Sequence, residues 1–230
     1  MKDLSESHIP LADRYEFIRE YVQIEDIEFK IHRIKDTDRL LDELIEKGEA
    51  HEDVQDERIP YWADLWPSAI AMGIYLRKHA HLVEGKKVLE IGCGIGLSAM
   101  VAKSCGGEVI LSDYLVDALE LATYNWKENF GEIPTCLQLD WRNPSPQHAT
   151  EVLLAADVAY EERAFEPLLK AFPVLLQENS CLILSEPGRP IAHKFLASLE
   201  NLGFSYQKEI IQIPYRNVLT AANIYLLKKT

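Results

Sequence analysis

The run Lys87-Val88-Leu89-Glu90-Ile91-Gly92-Cys93-Gly94-Ile95-Gly96-Leu97-Ser98-Ala99-Met100-Val101-Ala102 decides the fold. It reads as a short apolar strand, a glycine turn and the start of a helix. Glycines let the backbone turn sharply and approach a ligand, and the N-terminus of the following helix presents unpaired N–H groups. In a dinucleotide enzyme those groups cradle a pyrophosphate. Here the spacing is G-x-G-x-G, tighter at its end than the dinucleotide fingerprint, and Glu90 places a negative charge just before the loop. A pyrophosphate is poorly served by that charge, whereas a cofactor with an amino-acid end and a positive sulfonium fits it. A plain strand-to-helix turn would use the same glycines, so the residues beyond the loop have to decide.

Asp113 ends the strand Val109-Ile110-Leu111-Ser112, about 20 residues past the loop, where a carboxylate can accept from both ribose hydroxyls. The same carboxylate can also cap the next helix. Leu139-Asp140-Trp141 closes the strand after that: the acid can accept from an exocyclic adenine amine, and the indole can stack on the ring. A surface acid beside a core tryptophan is the other reading of this pair. Taken together, three successive strand ends read methionine, ribose and adenine in order.

Outward from this core the pattern alternates. Strands are predicted near 87–91, 108–112, 135–139, 151–157 and 181–185, with helices near 96–104, 115–129, 161–177 and 190–202. Such alternation implies an α/β fold with a doubly wound, mostly parallel sheet whose ligands bind beyond the carboxyl ends of the strands. The tail changes rhythm, since Phe204 to Ile213 and Asn223 to Lys228 read as two strands with no helix between them, an antiparallel closing pair. Before the core, Pro67 opens a helix running to about Ala80. Residues 60–230 thus form the main domain, and residues 1–59 an extension. The extension carries two short strands joined near Glu25-Asp26 and a helix capped by Asp36 or Thr37 that runs to about Lys47. Glu49 to Arg58 is charged and aperiodic and reads as an exposed loop.

Composition narrows the function classes. No apolar run approaches the stretch of about 18 residues that a membrane helix needs, and Met1 to Glu6 lack the basic and apolar regions of a secretory leader, so a cytoplasmic location is expected. Cys93, Cys105, Cys136 and Cys181 form no C-x-x-C pair, and His79 and His81 match no zinc spacing, so no metal site is expected. The formal charge is −13, with 18 acids against 9 bases in residues 1–60. That surplus argues against a nucleic-acid backbone as partner and is compatible with a cationic substrate such as lysine, although acidic faces are also ordinary solvated surface.

With these residues in hand, Val88 to Gly96, Asp113, Asp140 and the strand order resemble the seven-stranded, class I S-adenosylmethionine-dependent methyltransferases, over roughly residues 60–230. Trp62-Ala63-Asp64-Leu65-Trp66-Pro67-Ser68, Leu139-Asp140-Trp141 and Ala156-Asp157-Val158-Ala159-Tyr160 are similar to the branch that holds protein-lysine methyltransferases and nicotinamide N-methyltransferase-like proteins. The resemblance implies S-adenosyl-L-methionine as cofactor, with Glu90, Gly92, Gly94 and Gly96 on the methionine part, Asp113 on the ribose and Asp140 with Trp141 on the adenine. It also implies that Ala156 contacts the cofactor and that the pattern [D/E]-x-x-[Y/F], met by Asp157 and Tyr160, forms the floor of the substrate pocket.

Methyl transfer from a sulfonium is an in-line displacement that needs alignment and an unprotonated nucleophile. For a lysine acceptor, Asp157 would orient the amine and Tyr160 would face it; alternatively Asp157 caps the next helix and Tyr160 packs on it. Tyr61, Trp62 and Trp66 are expected to wall the methionine end of the cofactor, Trp66 contacting it, and the mouth of the pocket, or else to serve as core anchors, and Glu186-Pro187-Gly188-Arg189-Pro190 is a rigid turn on the ligand side of the sheet. The expected partner is a protein or small-molecule amine. The competing functions are a nicotinamide-dependent oxidoreductase, which the loop spacing and the final strand pair disfavour, and a scaffold that keeps the cofactor pocket without turnover.

Overall fold

The structure is a computed structural model and describes residues 10–229. Met1 to Glu6, read above for a leader, lie outside the described residues. The elements in chain order are α1 (Leu11–Arg14), β1 (Phe17–Ile24), β2 (Ile27–Ile34), α2 (Thr37–Glu46), α3 (Glu52–Gln55), α4 (Pro67–Lys78), β3 (Lys87–Ile91), α5 (Leu97–Ser104) and β4 (Glu108–Asp113). There follow α6 (Val116–Phe130), β5 (Thr135–Gln138), β6 (Thr150–Ala156), α7 (Glu162–Leu175), β7 (Leu176–Glu186), α8 (Ala192–Asn201), β8 (Phe204–Tyr215) and β9 (Val218–Lys229).

Among the described residues seven strands form one sheet in the order β5-β4-β3-β6-β7-β9-β8. The first five run parallel, and β9 inserts antiparallel between β7 and β8. Strand order reverses between β3 and β6, and the crevice opened there, at the carboxyl ends, is where an open α/β sheet binds its ligand. Leu76 of α4, Leu97 and Met100 of α5 and Leu121 and Trp126 of α6 cover one face; Leu168 and Phe172 of α7 and Phe195 of α8 cover the other. The predicted parallel core and antiparallel tail are both present. The helix expected over 161–177 stops at Leu175, because Leu176 already pairs with Thr150 of β6.

The β1–β2 hairpin turns at Glu25 and Asp26, with Glu25 at a φ of 52°. Its Ile24, Phe29, Ile31 and Ile34 enter the same core as α4, α5 and α6. Asn125 of α6 clamps it, accepting from the His32 N–H at 2.7 Å and donating to the His32 carbonyl at 3.0 Å. Asp36 caps α2 by accepting from the Arg39 N–H. The segment Glu49 to Arg58, expected as an exposed loop, is mostly exposed and carries the single-turn α3. Only its end is drawn in, where charges satisfy one another: the Arg58 guanidinium pairs with Asp53, Glu52 and Asp56 and is largely buried.

Candidate active site

The carboxyl ends of β3, β4, β5 and β6 open into one cavity of about 820 Å³. Of the residues singled out from sequence, Trp66, Glu90, Gly92, Gly94, Asp113, Asp140, Trp141, Ala156, Asp157 and Tyr160 all line it. Gly96 does not. It caps α5 at a φ of 83°, and its α-carbon is turned toward α6, where a Cβ would stand 3.2 Å from that of Ala122. Gly92 holds the other critical turn: at a φ of 60°, a Cβ there would meet Val158 at 3.1 Å and the Trp141 ring at 3.2 Å. Trp141 therefore packs against the loop itself as well as lining the cavity.

The cofactor end is built around two buried acids. The Glu90 carboxylate accepts from the Ala99 N–H in the first turn of α5 at 2.9 Å, and burial pushes its carboxyl up to about 8. Asp113 accepts from Gly94 N–H and Leu115 N–H, each at 3.1 Å, so it ties β4 to the glycine loop. Its carboxyl is also raised, by burial first, while those N–H bonds hold it down. Neither desolvated acid offers a counter-charge to a bound anion, whereas both can accept from hydroxyls or pair with a cation. This donor set fits S-adenosylmethionine, with its ribose hydroxyls, ammonium and sulfonium, and fits a dinucleotide pyrophosphate poorly. When bound, that cofactor supplies an electrophilic methyl group on sulfur.

The opposite wall is formed by the end of β6. Asp157 stands in the left-handed region at a φ of 55°, uncommon for a residue with a side chain, and is fixed there by its N–H donating to the Ser185 carbonyl at 2.9 Å. Its side chain is nearly buried, and it does not cap α7, whose N-cap residue is Glu161. Instead the Arg189 guanidinium grips both carboxylate oxygens, and the Ser68 hydroxyl donates to Oδ2 at 3.4 Å. Tyr160 packs edge-on against Tyr61 with ring centroids 5.4 Å apart, and Tyr61 meets Trp66 in the same way at 5.7 Å. Burial, with Glu161 nearby, pushes the Tyr160 phenol up to about 12, so at neutral pH it is a donor and not a base.

Sequence reading missed the clasp over the remaining side. Tyr114, directly after Asp113, lies with Arg58 at 4.5 Å and Arg142 at 5.0 Å from its ring centroid. Its hydroxyl accepts from both guanidinium groups and donates to Asp56. Arg142 also binds Asp140 through both carboxylate oxygens, at 3.0 and 2.9 Å, so much of the acceptor capacity assigned to Asp140 is engaged. The available signal was the position of Tyr114 directly after Asp113; pairing across 86 residues, as in Arg142 with Asp56, leaves no local trace.

A family model described as lysine methyltransferase matches residues 50–202, from the α3 clasp through α8. The chain belongs to the lysine methyltransferase family. It is an S-adenosylmethionine-dependent methyltransferase. The chain is 31% identical over 180 residues to the protein-lysine methyltransferase METTL21E of Mus musculus, a match that covers 73% of this chain and 70% of that protein. It is also 31% identical over 159 residues to the histone-arginine methyltransferase METTL23 of Homo sapiens, covering 65% of this chain and 81% of that one. Among solved structures, magnesium protoporphyrin IX methyltransferase from Synechocystis PCC 6803 with bound SAM superposes with a TM-score of 0.54 at 16% identity. That likeness spans 85% of this chain and 98% of that structure, and it is one of fold. No helix among the described residues of this family member is long and apolar enough to cross a membrane.

Proposed function

We propose that the enzyme methylates the ε-amine of a lysine in a protein substrate. One observation carries the reading: Asp157 and the Tyr61–Trp66–Tyr160 wall line the same cavity as the glycine loop and Asp113, so acceptor and cofactor groups share one space. In this reading Gly92, Gly94 and Glu90 take the methionine end and Asp113 the ribose. Asp140 and Trp141 bound the adenine end, with Gly96 setting the angle of α5. A carboxylate beside aromatic faces suits an alkylammonium, which gains from both charge and ring quadrupole. The amine normally titrates near ~10.4 and must lose a proton before it attacks. Asp157 orients it, the neutral Tyr160 shapes the pocket, and the partly exposed Tyr61 and Trp66 leave a wet mouth through which the proton departs. A cytoplasmic setting belongs to the same proposal, supported by Cys93, Cys105 and Cys181 as buried thiols in the core.

The test is transfer from methyl-labelled S-adenosylmethionine to proteins, to lysine and arginine peptides and to small amines, with mass-spectrometric location of the label. Label on lysine Nε that Asp157→Asn abolishes supports the proposal. Label confined to arginine, or to small amines, refutes it.

A further inference from the structure

The Asp157 carboxylate, on which the proposed acceptor reading rests, already holds a cation. Arg189 meets it in the bidentate geometry that guanidinium groups prefer, with Nη1 on Oδ1 and Nη2 on Oδ2, the second at 3.3 Å. The backbone beneath Arg189 is anchored. Gly188 N–H and Arg189 N–H both donate to Glu186 Oε2, at 2.6 and 2.8 Å, while Glu186 Oε1 accepts from Asn223 at 2.6 Å and Tyr225 at 3.2 Å. Prolines flank the turn at 187 and 190. The side chain is another matter: it is 34% exposed, it lines the cavity, and among the described residues its guanidinium has no further ion pair or hydrogen bond. Rotation of that side chain alone, with no change in the turn, would release Asp157 to the cavity.

We infer that Arg189 is an internal competitor for the acceptor subsite, a tethered cation that occupies Asp157 until the substrate's own cationic side chain displaces it. The device makes Arg189 a specificity-determining residue. A neutral acceptor cannot replace the lost ion pair, whereas an alkylammonium restores it, so the subsite selects cationic side chains. Affinity for such a group is reduced by the fraction of molecules in which Arg189 blocks the carboxylate.

The probe is n-butylammonium, the end of a lysine side chain without its peptide. It is titrated by NMR into the full chain saturated with S-adenosylhomocysteine. Arg189→Met, which keeps the apolar stem and removes the charge, is expected to bind the probe about tenfold more tightly than wild type, as for a site otherwise open about one time in ten. Arg189→Lys, able to make one hydrogen bond at a time with Asp157, should fall between them, and Asp157→Asn added to Arg189→Met should abolish the gain. Thermal melting and S-adenosylhomocysteine affinity establish that each variant is folded. If Arg189→Met binds no more tightly while Asp157→Asn still weakens wild type, the competitor is refuted and the acceptor reading stands. If neither substitution changes binding, the assignment of Asp157 to the acceptor fails, and the inference falls with it.

Discussion

Replacing Gly96 by Ala tests the claim that the third glycine of the loop sets packing. Two costs add. An L residue at a φ of 83° pays the left-handed penalty of about 1–2 kcal/mol. The new methyl then stands 3.2 Å from Ala122 Cβ and 3.4 Å from Leu111 Cδ2. Ala122 is fully buried and has no rotamer to change, so α5 has to move against α6, an overpacking cost of typically about 1–3 kcal/mol. Gly131, which ends α6 at a φ of 70° with nothing within 4 Å of an added Cβ, isolates the first cost. Gly131→Ala should therefore lose roughly 1–2 kcal/mol, and Gly96→Ala a further ~1–3 kcal/mol. That extra loss lowers Tm by roughly 2–12 °C at this chain length. Urea melts followed by circular dichroism measure both. Equal destabilisation of the two variants would refute the packing account of Gly96.

Glu90, with its carboxyl held near 8 against an unfolded value near 4.5, binds a proton in the folded state that the unfolded state has lost. Its contribution to stability is complete at low pH and disappears as pH rises from about 4.5 to 8, with a limiting slope of about 1.4 kcal/mol per pH unit; Glu90→Gln should flatten that part of the stability profile in denaturant melts. Asp113→Asn should weaken S-adenosylmethionine binding about tenfold or more in calorimetry, the loss of a charged acceptor worth roughly 1.5–3 kcal/mol; unchanged affinity would remove Asp113 from the ribose. Tyr114→Ala removes the ring and hydroxyl that hold Arg58 and Arg142 together, so amide exchange at residues 55–59 should accelerate by about tenfold or more, while residues in β3 stay protected.

What could be read from the sequence was local. The strand, glycines and helix of residues 87–102 are contiguous, and each obeys the preference of its own residues, so the turn and the acids at the next strand ends were legible. Pro67 at the start of α4 and Asp36 at the cap of α2 were legible for the same reason. Arg58 was not, because a run of charges looks solvated until its partners are known, and Tyr114 lies 56 residues away. The turn at Glu186 to Pro190 was visible through its prolines and glycine, but its business with Asp157 crosses from one strand end to another. Trp141 lines the cavity, but its close packing on Gly92 depends on how β5 and β3 are juxtaposed across β4, which no short window contains.

The insertion of β9 between β7 and β8 has a consequence for how the molecule comes into being. A ribosome delivers β8 before the strand that must separate it from β7, so the sheet cannot be zipped in the order of synthesis. Until Asn223 and Tyr225 arrive, the Glu186 side chain lacks two of its four hydrogen bonds, and the turn that carries Arg189 rests on a carboxylate held from one side only. A nascent chain stalled before β9 would possess the glycine loop, both of its acids and Asp157, with the turn that carries Arg189 only half anchored. Cofactor capture and the seating of the Arg189 competitor on Asp157 would then mature at different moments of translation.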